Sequence, residues 1–320
     1  MTKNTIDIEQ AALPLGLNLL GQMEVAESLG DPAILADYLG WQKTRLSSQG
    51  YNPADISALF KQIGATIGHG LPKKRAAALT QLFNDAVHKI DEHASAPPKP
   101  QADLADVASR YKQLLLERKR AEASELILKT AQDGVDVRDI YMHVFQSALY
   151  EIGRLWQTNQ INVAQEHYFT AATQMIMSQL YPYIFNEKRN GKRMVAASVS
   201  DNLHDIGIRM VADFFEMDGW DAMYLGGNNP PEAILQALDE ARPHLLALSV
   251  TVASHVQNAE RVIRTIREQD AYLKTKILVG GHPFNIAPDL WKKIGADGHA
   301  RSADEAIKLA NQLTGDRHVP

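Results

Sequence analysis

Two periodicities divide the chain. Up to about residue 185, apolar residues recur at three- and four-residue spacing, the mark of one buried helix face. Beyond "NEKRNGKR", short apolar runs alternate with amphipathic stretches, as strands alternate with helices. In the first part, "DPAILADYLGWQKTRLSSQG", "NPADISALFKQIGATIGHG" and "LPKKRAAALTQLFNDAVHKIDEH" each begin at a proline that suits a helix start. The prolines of "APPKP" then stop the helical pattern among small and polar residues. The pattern predicts an all-helical N-terminal domain over 1–95 and a linker over 96–102.

Four further helices follow from Asp103: "DLADVASRYKQLLLERKR", "AEASELILKTAQDG", "DVRDIYMHVFQSALYEIGRLWQ" and "NVAQEHYFTAATQMIMSQLYPYIF". Asp133-Gly134 and "TNQI" break the last two. Short connections predict an antiparallel four-helix bundle over 103–187. Over 188–320, "MVAASVS", "DAMYLGG", "HLLALSV" and "KILVGG" read as strands, with a weaker one at "GADGHA". "IGIRMVADFFEMDGW", "PPEAILQALDEARP", "NAERVIRTIREQD" and "SADEAIKLANQL" read as the helices between and after them. The expected fold class is therefore α + α/β, with a C-terminal Rossmann-like parallel sheet carrying helices on both faces.

Composition narrows the function classes. Of 320 residues, 45% are hydrophobic and 22% charged, the proportions of a globular protein. A formal charge of -5 gives no reason to expect nucleic-acid binding. The N-terminal domain has eight Lys/Arg against ten Asp/Glu, and no basic recognition helix. Cysteine is absent, so a metal would need nitrogen or oxygen ligands. No apolar window is long enough to span a membrane, and the start reads as a lead into a helix. A cytoplasmic location is expected.

Ligands of parallel sheets sit beyond the carboxyl ends of the strands. Three candidate strand ends carry polar or small residues there: His204 with Gly207 in "SDNLHDIG", Ser249 to Thr251 in "SVT", and Gly280-Gly281. Singly, each has a plain structural reading. His204 fits a solvated turn, Ser200, Asp201 and Asp205 fit a helix cap, and the glycine pair fits a tight turn.

In order, however, the three resemble the signature of the cobalamin-binding domain family: Asp-x-His-x-x-Gly, then Ser-x-Thr/Leu, then Gly-Gly. The resemblance covers about 188–315. It departs at one position, where Asn202 stands for the usual acid. The resemblance implies that His204 is the lower axial ligand of cobalt, displacing the cofactor's benzimidazole tail. It implies that Ser249, Thr251, Gly280 and Gly281 leave a slot for that tail. In this reading residue 202 holds the second imidazole nitrogen, with Asn202 as an uncharged acceptor and Asp201 or Asp205 as substitute acids.

Upstream, Trp156, nine residues, then Glu166-His167 resembles the Trp-x9-Glu-His cap motif of light-sensing adenosylcobalamin proteins, many of which carry a MerR-type DNA-binding domain. That resemblance implies that Trp156 packs on the adenosyl group while Glu166 and His167 close the upper cavity. Gln157 stands where those photoreceptors have a histidine, which leaves His143, His167 or water as a photoproduct ligand. The expectation is an adenosylcobalamin photoreceptor, a sensor rather than an enzyme. It would signal through a protein partner or self-association, without direct DNA binding. The alternatives are a corrinoid carrier subunit of a methyltransferase system and the cobalamin module of a mutase, which would need a separate substrate barrel.

Overall fold

The computed structural model describes residues 19–67, 69, 71–90, 100–185 and 189–315. The expected lead before residue 19 and most of the linker at 96–102 fall outside them. The chain forms two compact units, one from residues 1–96 with 153–163 and one from 97–152 with 164–320. The segment 153–163 thus groups with the N-terminal helices, although the sequence pattern assigns it to the cap.

The first unit contains α1 (residues 19–29), α2 (Pro32–Ser48), α3 (Pro53–Ile67) and α4 (Lys73–Lys89). Its prolines act as the sequence suggests. Asp31 accepts the Ala33 N–H at 2.9 Å just ahead of Pro32, and Asn52 accepts the Ala54 N–H at 2.9 Å around Pro53. These side chains satisfy amide groups that a helix start leaves open. Leu19, Met23, Leu35, Leu39, Phe60 and Phe83 form the buried face. Phe83 lies against Gly64, where an added Cβ would come within 2.5 Å of its ring.

The second unit begins with the cap helices α5 (Ala105–Leu116) and α6 (Arg120–Gln132). Next comes α7, a run of three consecutive pieces, Val137–Asp139, Ile140–Gln146 and Ser147–Gln157, followed by α8 (Val163–Gln179). The middle piece of α7 is π-helical, a wider turn than the pattern of apolar residues announces. Tyr111 centres the cap. Its ring lies 5.4 Å from Phe145 and 5.8 Å from Phe169, and its hydroxyl shares a 2.8 Å hydrogen bond with Thr173.

Five parallel strands follow: β1 (Arg193–Ser198), β2 (Asp221–Tyr224), β3 (Leu245–Ser249), β4 (Lys276–Gly280) and β5 (Gly298–Ala300), in the order β2-β1-β3-β4-β5. Met194 to Val199 and Leu245 to Leu248 are buried without interruption, as expected for strands covered on both faces. The connecting helices are α9 (Ile206–Met217), α10 (Pro231–Ala241) and α11 (Val256–Arg267), and α12 (Ala303–Thr314) closes the chain. The chain first crosses from β1 to β2, then reverses toward β3 and β4. Right-handed crossovers therefore put α9 on one face and α10 with α11 on the other. The reversal leaves a crevice between the carboxyl ends of β1 and β3, where open α/β sheets bind ligands.

Candidate functional site at the strand ends

Register decides which residues meet in that crevice. Ser198, Ser249 and Gly280 are paired across β1, β3 and β4, and Gly280 pairs with Ala300 on β5. The chain leaves each strand just past this row, so Asn202, His204, Thr251 and Gly281 all depart from one edge. The sequence-predicted residues of the three strand ends are therefore gathered there.

The loop carrying His204 is held along its backbone. Ser198 Oγ donates to the His204 carbonyl at 3.1 Å, and the Asn228 N–H donates to the Asn202 carbonyl at 3.0 Å. Gly227 packs so closely that an added Cβ would lie 3.3 Å from both the Asn202 carbonyl and Asp205 Cβ. The His204 side chain, by contrast, is exposed, beside a Leu203 that is 76% exposed. At Gly207, in the first turn of α9, an added Cβ would meet nothing within 4 Å. A backbone-fixed loop thus presents an exposed imidazole.

Asn202, two residues before it, is fully buried. Its Nδ2 donates to the Ser249 carbonyl at 3.1 Å, while its Oδ1 is buried with no partner. An unpaired buried acceptor costs about 1–3 kcal/mol, which a donor brought to Asn202 Oδ1 would offset. The alternative acids are engaged elsewhere. Asp205 occupies the N-cap position of α9 but makes no capping bond. It accepts the Gln174 amide at 2.8 Å and the Tyr224 hydroxyl at 3.0 Å instead. Burial and the Asp205 carboxylate push the Tyr224 phenol up, so it remains a donor. Asp201 accepts Asn258 Nδ2 at 3.2 Å, and its N–H donates to Asn228 Oδ1 at 2.8 Å.

The glycine pair is a close-approach device rather than an ordinary turn. Gly281 has φ +110° and ψ 176°, a region essentially reserved for glycine. A Cβ there would fall 2.0 Å from the Val250 carbonyl oxygen. Side-chain-free backbone at 280–281 lets β4 run against the turn after β3, with the Val250 N–H bonded to the Gly280 carbonyl at 3.0 Å.

In the cap, Glu166 and His167 pair with each other: His167 Nδ1 lies 2.6 Å from Glu166 Oε2, and Thr170 donates to Glu166 Oε1 at 3.0 Å. Trp156 is in the other unit. Its ring packs 6.1 Å from Trp41, tilted by 46°, and Gln157 donates to the Trp41 carbonyl at 3.2 Å.

Several residues around the loop escape the sequence motifs. Gln174 and Tyr224 hold Asp205, and Asn258 holds both Asp201 and, at 2.8 Å, the Ser200 carbonyl. His255, on the turn after β3, has a buried Nδ1 without a partner. Burial lowers its pKa, Asp201 acts against that shift, and His204 adds to it, so the two imidazoles share one neighbourhood. For Gln174 a spacing signal exists. Glu166, Thr170, Gln174 and Ser178 form an i, i+4 polar stripe on α8.

These residues fit an imidazole-ligated corrinoid: an exposed imidazole on a backbone-fixed loop, a buried amide oxygen two residues earlier without a protein partner, and a strand end kept clear of side chains at Gly280 and Gly281. Residues 192–308 match the family model described as B12 binding domain, and residues 107–181 match a second model of that description. A corrinoid protein of Desulfitobacterium hafniense is 23% identical over 66% of this chain and 99% of its own length. Dimethylamine corrinoid protein 1 of Methanosarcina mazei is 27% identical over 52% of this chain and 74% of its own. Trimethylamine corrinoid protein 1 of Methanosarcina acetivorans is 23% identical over 64% of this chain and 96% of its own. The structure of Methanosarcina barkeri monomethylamine corrinoid protein superposes with TM-score 0.58 at 20% identity, covering 66% of this chain and 99% of that one. That likeness bears out the expected helical cap on a Rossmann-like sheet.

The same relatives overturn the photoreceptor expectation. The proteins that share the cap and the sheet domain are corrinoid proteins, two of them named for methylated amines. The Trp-x9-Glu-His spacing does not by itself fix a light-sensing function; here the Trp156 ring touches Trp41 and stays 43% exposed. Over residues 107–181 and 192–308, this chain belongs with the cobalamin-binding proteins that carry B12 binding domains.

Proposed function

We propose that the protein is a corrinoid carrier subunit of a methyltransferase system. The observation that carries the reading is the exposed His204 imidazole, offered from a backbone-fixed loop at the sheet's switch point, in a chain whose relatives are methylated-amine corrinoid proteins. A bound corrinoid would supply a cobalt centre able to take up and give up a methyl group.

The chain's own residues do the rest. His204 would hold the cobalt through one imidazole nitrogen. Asn202 Oδ1 would accept the proton on the other ring nitrogen, fixing the tautomer without adding charge. Ser249, Thr251, Gly280 and Gly281 would leave the displaced tail room beyond the carboxyl ends of β3 and β4. The cap helices would cover the upper face, with Glu166 and His167 at the start of α8. The photoreceptor resemblance sets Trp156 against an adenosyl group. A methyl group needs no nucleoside-sized cavity, so in this reading the upper ligand is methyl and Trp156 serves the packing against Trp41. The partner is a methyltransferase that reaches the upper face.

The test is reconstitution of the full chain with hydroxocobalamin. The expected result is a tail-displaced, imidazole-ligated absorption spectrum that His204→Ala converts to a water-ligated one, with weaker binding. An unchanged spectrum and affinity in the variant would sink the ligand assignment. Methylation of the reduced, bound corrinoid by a methylated amine plus a methyltransferase tests the carrier role, and failure with all methylated amines would count against it.

A further inference from the structure

The residues pinning the His204 loop come from two sources. Ser198, Gly227, Asn228 and Tyr224 belong to the sheet domain and hold the loop from below and beside it. Gln174 belongs to the cap. It donates to Asp205 Oδ1 at 2.8 Å from the fourth turn of α8. Its own backbone is gripped in return: Arg209 Nη1 donates to the Gln174 carbonyl at 3.2 Å and Arg209 Nη2 to Ser178 Oγ at 2.7 Å. Arg209 also lies over the Tyr181 ring, 5.7 Å from its centroid. Helix α8 is therefore fastened to α9 through Arg209 and to the residue after His204 through Gln174. The stripe that holds Gln174 begins at Glu166, beside His167.

We propose that Gln174 is a positioning residue for the axial imidazole: by pinning Asp205 from the cap, it sets the height at which His204 meets the cobalt of a bound corrinoid. The inference rests on the carrier reading above. His204 itself has a free side chain, so its reach depends on the loop, and Asp205 is the loop residue that both cap and sheet domain hold. A shift of α8 against α9 would pass through the Gln174–Asp205 bond to the lower ligand. The upper and lower faces of the site are thereby linked by one helix.

The experiment uses the full chain loaded with cob(II)alamin and reads axial nitrogen by electron paramagnetic resonance, with histidine isotopically labelled to assign it. Gln174→Glu places a carboxylate against Asp205 and should lower the imidazole-ligated fraction at least threefold. The double variant Gln174→Glu, Asp205→Asn exchanges donor and acceptor. The amide introduced at position 205 can donate to the carboxylate introduced at position 174 and still accept from Tyr224. It should restore the signal, a non-additivity that marks direct interaction. Gln174→Leu, which keeps the side-chain bulk, should show the same loss without rescue by Asp205→Asn. An imidazole signal unchanged in Gln174→Glu and Gln174→Leu would overturn the proposal. So would a loss that the exchanged pair fails to restore while thermal unfolding of the double variant matches the parent. If the parent chain itself shows no axial histidine nitrogen, the carrier reading's ligand assignment fails first, and this proposal with it.

Discussion

The Tyr141 hydroxyl, on the π-helical piece of α7, donates to Asp213 Oδ2 on α9 at 2.9 Å. This bond buries a carboxylate between cap and sheet domain, where Asp213 is 5% exposed and the Tyr141 ring also lies 6.1 Å from Phe214. Burial raises the Asp213 pKa from 3.8 to about 6; Tyr141 and Arg209 oppose the rise, and Glu216 adds to it. The folded state therefore binds this proton more tightly than the unfolded state. Stability from this group is fully present below about pH 4, declines as pH rises toward 6, and stays low above that. A gap of about two units corresponds to up to about 3 kcal/mol. Asp213→Asn keeps an acceptor for Tyr141 and removes the charge. Urea unfolding at pH 8 should show it more stable than the parent, and the difference should vanish near pH 4. Equal stability at both pH values would show that Asp213 titrates normally.

Gly281 offers a sharper steric test. At φ +110° with an added Cβ 2.0 Å from the Val250 oxygen, alanine cannot be fitted without moving the backbone of β3 or β4. Gly281→Ala should destabilise the fold by more than about 2 kcal/mol. Gly207→Ala, whose Cβ meets nothing within 4 Å, should change stability by less than about 1 kcal/mol and serves as the control. Cobalamin affinity separates the two roles, since Gly207→Ala would intrude on the open space beside His204. Similar stability losses in both variants would contradict the geometry.

Much of this architecture is legible in the chain because local and long-range signals agree. The strand "HLLALSV" is apolar without alternation, which only a doubly covered parallel strand tolerates, and β3 runs through it at Leu245–Ser249. Pro32 and Pro53 mark helix starts because the residue before each supplies a capping oxygen. The three strand-end motifs converge because parallel register is fixed once every strand is buried. What the pattern does not carry is side-chain partnership across elements. Asp205 reads as a helix cap, yet Gln174, 31 residues earlier, takes it. Trp156 reads as part of a cap cavity, and its tilted contact with Trp41 on α2, more than a hundred residues earlier, carries no sequence signal. A π-helical turn at Ile140–Gln146 keeps the same apolar residues as an α-helix and so leaves no trace in periodicity.

The Trp41–Trp156 pair is one of the contacts that join 153–163 to the N-terminal helices. Two rings with centroids 6.1 Å apart, tilted by 46°, interact by about 0.5–1.5 kcal/mol beyond simple burial. Trp41→Ala and Trp156→Ala should each destabilise the first unit, and the double variant should lose less than their sum by about 1 kcal/mol. Trp156→Ala should also leave the ratio of methylcobalamin to adenosylcobalamin affinity unchanged. A selective loss for the adenosyl form would instead restore a role for the indole beside a nucleoside.

Asn202 joins stability to ligation most directly. Its Nδ2 holds the Ser249 carbonyl at 3.1 Å while its Oδ1 stays buried and unpaired. Asn202→Asp removes the donor to Ser249 and places a charge at a site with no exposure, so the cobalamin-free protein should lose about 1–3 kcal/mol or more. With cobalamin bound through His204, the new carboxylate would accept the imidazole N–H as a charge-assisted bond and strengthen the ligand. The variant should therefore melt earlier than the parent when free, and gain more in melting temperature on adding cobalamin. Asn202→Leu removes both polar atoms, loses the Ser249 bond, and should show no such extra gain. Equal cobalamin-induced shifts in the parent, Asn202→Asp and Asn202→Leu would mean that residue 202 does not touch the axial imidazole, whatever ligates the cobalt.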